Sequence, residues 1–147
     1  MASDFKLKNN HSMSNVKHIK FIEIPKVHDE RGSLAVIEKD VLPFEIKRVY
    51  YLFDVPSSSY RGGHAHKEQE SIIIALSGSF EVIVDDGFSR ERIMLNKPTQ
   101  GLFISTNVWR EIDNFSSGAV CLVLASTTYN EAEYIRDYQD FKNHVTG

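Results

Sequence analysis

Apolar residues along this chain fall in short runs with the period of strands. The segments IKFIEI (19–24), GSLAVIEK (32–39), KRVYYLFDV (47–55), ESIIIALSG (70–78) and SFEVIVDDG (79–87) open the series. RERIMLN (90–96), GLFIST (101–106), WREIDNF (109–115) and AVCLVLAS (119–126) complete it. They are rich in Val, Ile, Phe and Tyr, which suit a pleated surface, and most are bounded by Gly, Pro, Asn, Asp or Ser. Turn chemistry at LSGSF, around Gly78, and at VDDGFS predicts hairpins. Many short strands between turns predict a β-sandwich or barrel, not the alternating strands and helices of a parallel sheet. Only NEAEYIRDYQDFKNHV (130–145) has helical spacing. There Tyr134, Ile135, Tyr138, Phe141 and Val145 recur on one side, with Asn130 as the predicted cap.

Composition narrows the class. The 147 residues, 41% hydrophobic and 25% charged, suffice for one globular domain with its own core. Residues 1–18 are polar and rich in Lys and Asn, and read as a flexible leader or a tag; residues 19–147 read as the folded domain. The head lacks the apolar centre of a signal peptide, and the chain has one cysteine, so the expected compartment is the cytoplasm. Seventeen basic residues against 20 acidic ones disfavour a nucleic-acid surface. No apolar run approaches the roughly 20 residues of a membrane-spanning helix. Cys121, in the middle of an apolar run, reads as a small buried hydrophobe.

The densest polar chemistry lies in YRGGHAHKEQES (60–71). Residues two apart on a strand face the same way, so His64 and His66 point together and Ala65 points away. Glu68 and Glu70 keep that parity if the strand continues. Gly62 and Gly63 leave room for backbone or a ligand. Two imidazoles on one inward face form either a metal seat or an acid/base pair. His11, His18, His28 and His144 lie in polar segments and read as exposed.

Gly62, His64, His66, Glu70 and Gly78 resemble the first motif of the cupin superfamily, and Pro98, Gly101 and Asn114 part of its second. The resemblance implies an all-β cupin jelly roll, a double-sheet barrel, followed here by a short C-terminal helix. Metal cupins add a histidine in the second motif. Arg110 stands there in this chain, and a guanidinium has no lone pair to give and repels a cation. No metal is therefore expected.

A narrower resemblance runs from about residue 19 to 143. DERGSL (29–34), IKRVYYLFDVP (46–56), RGGHAHK (61–67), LSGS (76–79), VDDG (84–87), the VW before Arg110 and VLASTTYNEAEYIRDYQDF (123–141) are similar to the WxcM-like nucleotide-sugar 3,4-ketoisomerases. That family implies transfer of the carbonyl of dTDP-4-keto-6-deoxyglucose from C4 to C3 through an enediol. The reaction is internal to the sugar and needs no cofactor, only groups that move protons between adjacent carbons. The resemblance makes His66 the leading base, with His64 as its partner. With no Gly-rich phosphate loop, the diphosphate falls to arginines, for which Arg31, Arg48 and Arg61 are the candidates. Tyr50 and Tyr51 lie on opposite faces of one strand, and Tyr51 is the one expected to face the sugar. Trp109 is a candidate to stack on a base, although core packing is its more ordinary use.

In the family an arginine at position 31 goes with a galacto product and one at position 110 with a gluco product. This chain has both, which leaves the C4 configuration open. The resemblance also implies a homodimer that exchanges N-terminal strands, with IKFIEI as the exchanged strand. Two rivals remain: a cupin 3,5-epimerase of the same nucleotide sugar, and a non-catalytic sugar- or metal-binding cupin.

Overall fold

The computed structural model describes residues 15–147. The leader expected at residues 1–18 lies mostly outside them. Val16, however, is buried in the main core and the backbone N–H of Lys17 donates to Asp86, so packing begins before Ile19.

Two antiparallel sheets face each other. The first has the order β1 (Ile19–Glu23), β9 (Gln100–Ile104), β6 (Ser71–Ser77), β11 (Val120–Ala125), β4 (Arg48–Leu52). The second has the order β12 (Tyr134–Ile135), β5 (Arg61–His66), β10 (Trp109–Asp113), β7 (Phe80–Asp85), β8 (Arg90–Leu95). The expected double-sheet jelly roll is thus found. A separate hairpin, β2 (Lys26–Asp29) with β3 (Gly32–Ala35), belongs to neither sheet.

The apolar run of β6 shows why sequence and fold agree. Ile73 and Ala75 point between the sheets, with Phe80, Leu102, Phe115 and Val123. Ile72 and Ile74 point outward but are also buried, beneath Ile37, Val41, Leu42 and Phe44. A strand covered on both faces reads as a continuous apolar run. On the outer face of the second sheet, Phe141 of helix α1 (Tyr138–Thr146) packs on Ala65, Trp109 and Ile135.

The C-terminal segment departs from expectation. It is not one helix from residue 130. Asn130 does cap a turn, but a single 3-10 turn over Glu131–Glu133. Tyr134 and Ile135 then extend to pair with His66 and Ala65 of β5. The helix starts only after Asp137, whose carboxylate accepts from the Asp140 N–H at 2.9 Å. Strand pairing to β5 outweighed local helical spacing, and this interruption places Glu133, Tyr134 and Arg136 beside the histidines.

The N-terminal strand β1 pairs with β9, Ile19 opposite Ile104 through Glu23 opposite Gln100.

Candidate active site

A cavity of about 360 Å³ opens between the inner faces of the two sheets. Arg48 and Tyr50 enter it from β4, Arg61, Gly62 and His64 from β5, and Arg110 from β10; Tyr129, Tyr134 and Arg136 come from the C-terminal segment. Leu52, Ile73, Ile112 and Val123 give it an apolar wall.

A bulge aims β5. Arg110 of β10 is opposite His64, but Ile112 is opposite Arg61, so β5 carries one extra residue. Residues three apart on a regular strand face opposite ways, and the bulge brings Arg61 and His64 to one side. Gly62 occupies it with φ +103°, and a Cβ there would stand 3.3 Å from the Arg110 carbonyl oxygen and the Glu111 Cα. That conformation and that closeness both require glycine.

The two imidazoles are in contact, Nε2 to Nε2 at 3.1 Å, with the rings nearly perpendicular. His64 donates through Nδ1 to the Gly62 carbonyl. His66 is 0% exposed, and its Nδ1 meets the Glu133 carboxylate. The other oxygen of Glu133 accepts the backbone N–H groups of Glu68 and Gln69 at 3.0 and 3.1 Å. Tyr134 lies across both imidazoles, its ring centroid 5.0 Å from His64 and 4.4 Å from His66.

Electrostatics keeps both histidines neutral. Burial, then the Arg110 cation, then the neighbouring His66 push His64 down to about 2. Burial, Arg110 and Arg48 push His66 down to about 2. Arg110 is itself buried, which lowers it to about 10, so it stays charged at neutral pH. Its guanidinium donates to the Val108 carbonyl at 3.2 and 3.4 Å. At the mouth, Arg48 lies 4.5 Å over the Tyr50 ring and 5.3 Å from that of Tyr129, and donates to the Tyr134 hydroxyl at 3.2 Å. Arg136 lies 4.3 Å over Tyr134 and pairs with Glu131. An arginine-rimmed cavity of this kind suits a diphosphate.

The family model described as WxcM-like, C-terminal (FdtA) matches residues 17–146. The chain belongs to the WxcM-like family. It is 46% identical over 127 residues to a TDP-4-oxo-6-deoxy-alpha-D-glucose-3,4-oxoisomerase from Aneurinibacillus thermoaerophilus, covering 86% of this chain and 91% of that one. A 3,4-ketoisomerase structure from Helicobacter canadensis superposes with a TM-score of 0.85 at 48% identity, over 88% of this chain and 98% of that one. The 3,4-ketoisomerase of Thermoanaerobacterium thermosaccharolyticum, in complex with TDP, gives 0.87 at 38% identity, over 89% and 96%. An epimerase from Mycobacterium tuberculosis shares only 16% identity, a likeness of fold alone.

In this WxcM-like chain the structure brings His64, Arg48, Arg61, Tyr50 and Arg110 to one cavity. Four of the expected side chains do not line this chain's cavity. His66 does not border the cavity; it stands behind His64. Tyr51 points outward, 59% exposed, and Tyr50 points in, because the pleat of β4 puts Tyr50 on the face with Arg48. Trp109 faces away from Arg110, packing on Tyr138 and Phe141 with its indole N–H on Glu111. Arg31 sits in the exposed β2–β3 turn, paired with Asp29, and does not line this chain's cavity.

Glu70 leaves the expected parity because β5 ends at His66; its carboxylate takes the Ser105 hydroxyl at 3.4 Å. Among the described residues no three His, Cys, Asp or Glu side chains are grouped to hold a metal. The donor set does not suit one: His66 is engaged at both nitrogens, and Arg110 would oppose a cation. Glu133, Tyr134 and Arg136 were missed in the sequence because the helical spacing of their segment concealed a strand.

Proposed function

We propose that this chain is a 3,4-ketoisomerase of dTDP-4-keto-6-deoxy-D-glucose, supplying 3-keto sugars for amination to dTDP-3-amino-3,6-dideoxyhexoses of bacterial surface polysaccharide. The observation that carries the reading is a neutral histidine pair set beside a buried, charged Arg110 in an arginine-rimmed cavity. Family membership and relatives named for this reaction support it.

His64, which borders the cavity, takes the proton from C3. The C3–H electron pair forms the C3=C4 bond, and the C4 carbonyl oxygen becomes an enediolate oxygen. Arg110 offsets that charge, and a fixed donor in a dry site is worth far more than one in water. The C3 hydroxyl proton passes to the C4 oxygen, the abstracted proton returns to the C4 carbon, and the carbonyl stands at C3. Burial, and after it the arginine cations, hold the imidazoles at low basicity. A bound diphosphate neutralises part of that field and raises the basicity of His64 toward the range a general base needs.

A homodimer completes the reading. β2 and β3 pair only with each other, and every residue of both is exposed, Val27 at 62% and Leu34 at 61%. The edge strand β4 and the residue after it also expose apolar side chains, Val49, Tyr51 and Phe53. Laying the hairpin on the partner's β4 edge buries both apolar sets and carries Arg31 toward the partner's cavity. The cytoplasm is the proposed compartment, on the default for a lone thiol that is buried.

The test is incubation with dTDP-4-keto-6-deoxyglucose and an aminotransferase that accepts only 3-keto sugars. Appearance of the 3-amino product supports the reading; unchanged substrate overturns it.

A further inference from the structure

Glu133 is a buried carboxylate, 4% exposed, that the mechanism above does not use. Its surroundings decide where protons sit on the two histidines. A backbone carbonyl only accepts, so His64 carries its proton on Nδ1, which meets Gly62. The Glu133 carboxylate accepts two backbone N–H groups on one oxygen and His66 Nδ1 on the other, so His66 too carries its proton on Nδ1. Gln69 agrees with this: its side-chain N–H reaches His66 Nε2 at 3.3 Å and Ser71 at 3.0 Å, and its carbonyl takes Thr127 at 3.2 Å. Both Nε2 atoms are then without a proton and stand 3.1 Å apart, that of His66 also accepting from Gln69. Such a contact is repulsive until one proton enters it, and then becomes a hydrogen bond between an imidazolium and an imidazole.

We propose that Glu133 is the positioning residue of the reaction: it fixes His66 as the Nδ1–H tautomer, so that the two histidines hold the abstracted proton between their Nε2 atoms. The inference rests on the ketoisomerase reading. The C3–H bond breaks, its electron pair stays in the enediolate, and the proton enters the Nε2–Nε2 contact. The new positive charge lies beside the Glu133 carboxylate, and the enediolate beside Arg110. The same proton is then available to C4, so one pair serves two adjacent carbons.

Glu133→Gln tests this with almost no change of shape. The Gln carbonyl keeps the backbone N–H bonds of residues 68 and 69, which turns its amide N–H toward His66 Nδ1. His66 must then move its proton to Nε2, where it blocks the lone pair of His64. The expected result is a loss in kcat of about 100-fold with KM changed by less than about threefold. Two-bond ¹H–¹⁵N spectra should show His66 protonated at Nδ1 in the wild type and at Nε2 in the variant. A purely structural role would instead lower Tm and TDP affinity without changing the tautomer. Wild-type kcat in the variant, or a wild-type His66 protonated at Nε2, overturns the proposal. The wild-type spectrum decides alone if the variant does not fold. It is read without substrate, so an inactive wild type counts against the reaction and not against the tautomer.

Discussion

The cavity and the β2–β3 hairpin dispose of their side chains in opposite ways. In and behind the cavity, buried polar groups have partners in the same chain: His64 on Gly62, His66 on Glu133, Arg110 on Val108. On the hairpin every residue is exposed, apolar Val27 and Leu34 included, and the strands bond only to each other. A two-stranded hairpin alone is marginal in water. The contrast fits proton chemistry assembled within one chain and, in the proposed dimer, an N-terminal surface finished by the partner. Arg31 joins the two regions, since it sits on the hairpin and is expected to serve a diphosphate.

The comparison breaks most sharply at His64. His64→Asn should lower kcat about 1000-fold, within the range for a lost general base, with Tm and oligomeric state unchanged. Equal losses of Tm and activity would make His64 a packing residue. On the other side, Val27→Asp with Leu34→Asp should leave the cavity intact and yield monomers in sedimentation velocity. The loss of Arg31 from the partner's site should then weaken substrate binding about tenfold, the order of a charge-assisted contact. A dimer that survives both substitutions removes the hairpin from the interface.

The smallest effect is on stability against pH. Both histidines are held below their ordinary 6.5, so they gain protons on unfolding at any pH between that value and about 2. Their contribution is level above pH 6.5 and declines as pH falls, by about 1 kcal/mol per pH unit for each histidine. Urea unfolding from pH 7.5 to 5 should show that decline, and the His64→Asn, His66→Asn double variant should flatten it. An equal slope in both proteins would place the acid sensitivity elsewhere, the hairpin included.

Much of this was legible in the sequence, for identifiable reasons. Strands with strong β-branched and aromatic content declared themselves, and β6 could be read as a buried run because both its faces are covered. Period-two alternation placed His64 with His66 and set Tyr50 and Tyr51 on opposite faces. Depth was not legible. Alternation says which way a side chain points and not what stands in front of it, so it could not show that His66 lies buried behind His64. Nor could local spacing show that Tyr134 and Ile135 pair with β5, since their helical period is real and tertiary pairing overrode it. Glu133 followed the same path out of view: its partner lies 67 residues away in the chain.

The central claim is that the histidine pair moves a proton between C3 and C4 of a nucleotide-linked keto sugar. The most direct measurement follows dTDP-4-keto-6-deoxyglucose by NMR in deuterated water with the full chain. The account predicts a product with its carbonyl at C3. A carbonyl that stays at C4, with deuterium entering at C3 and C5, would contradict it and make the protein an epimerase.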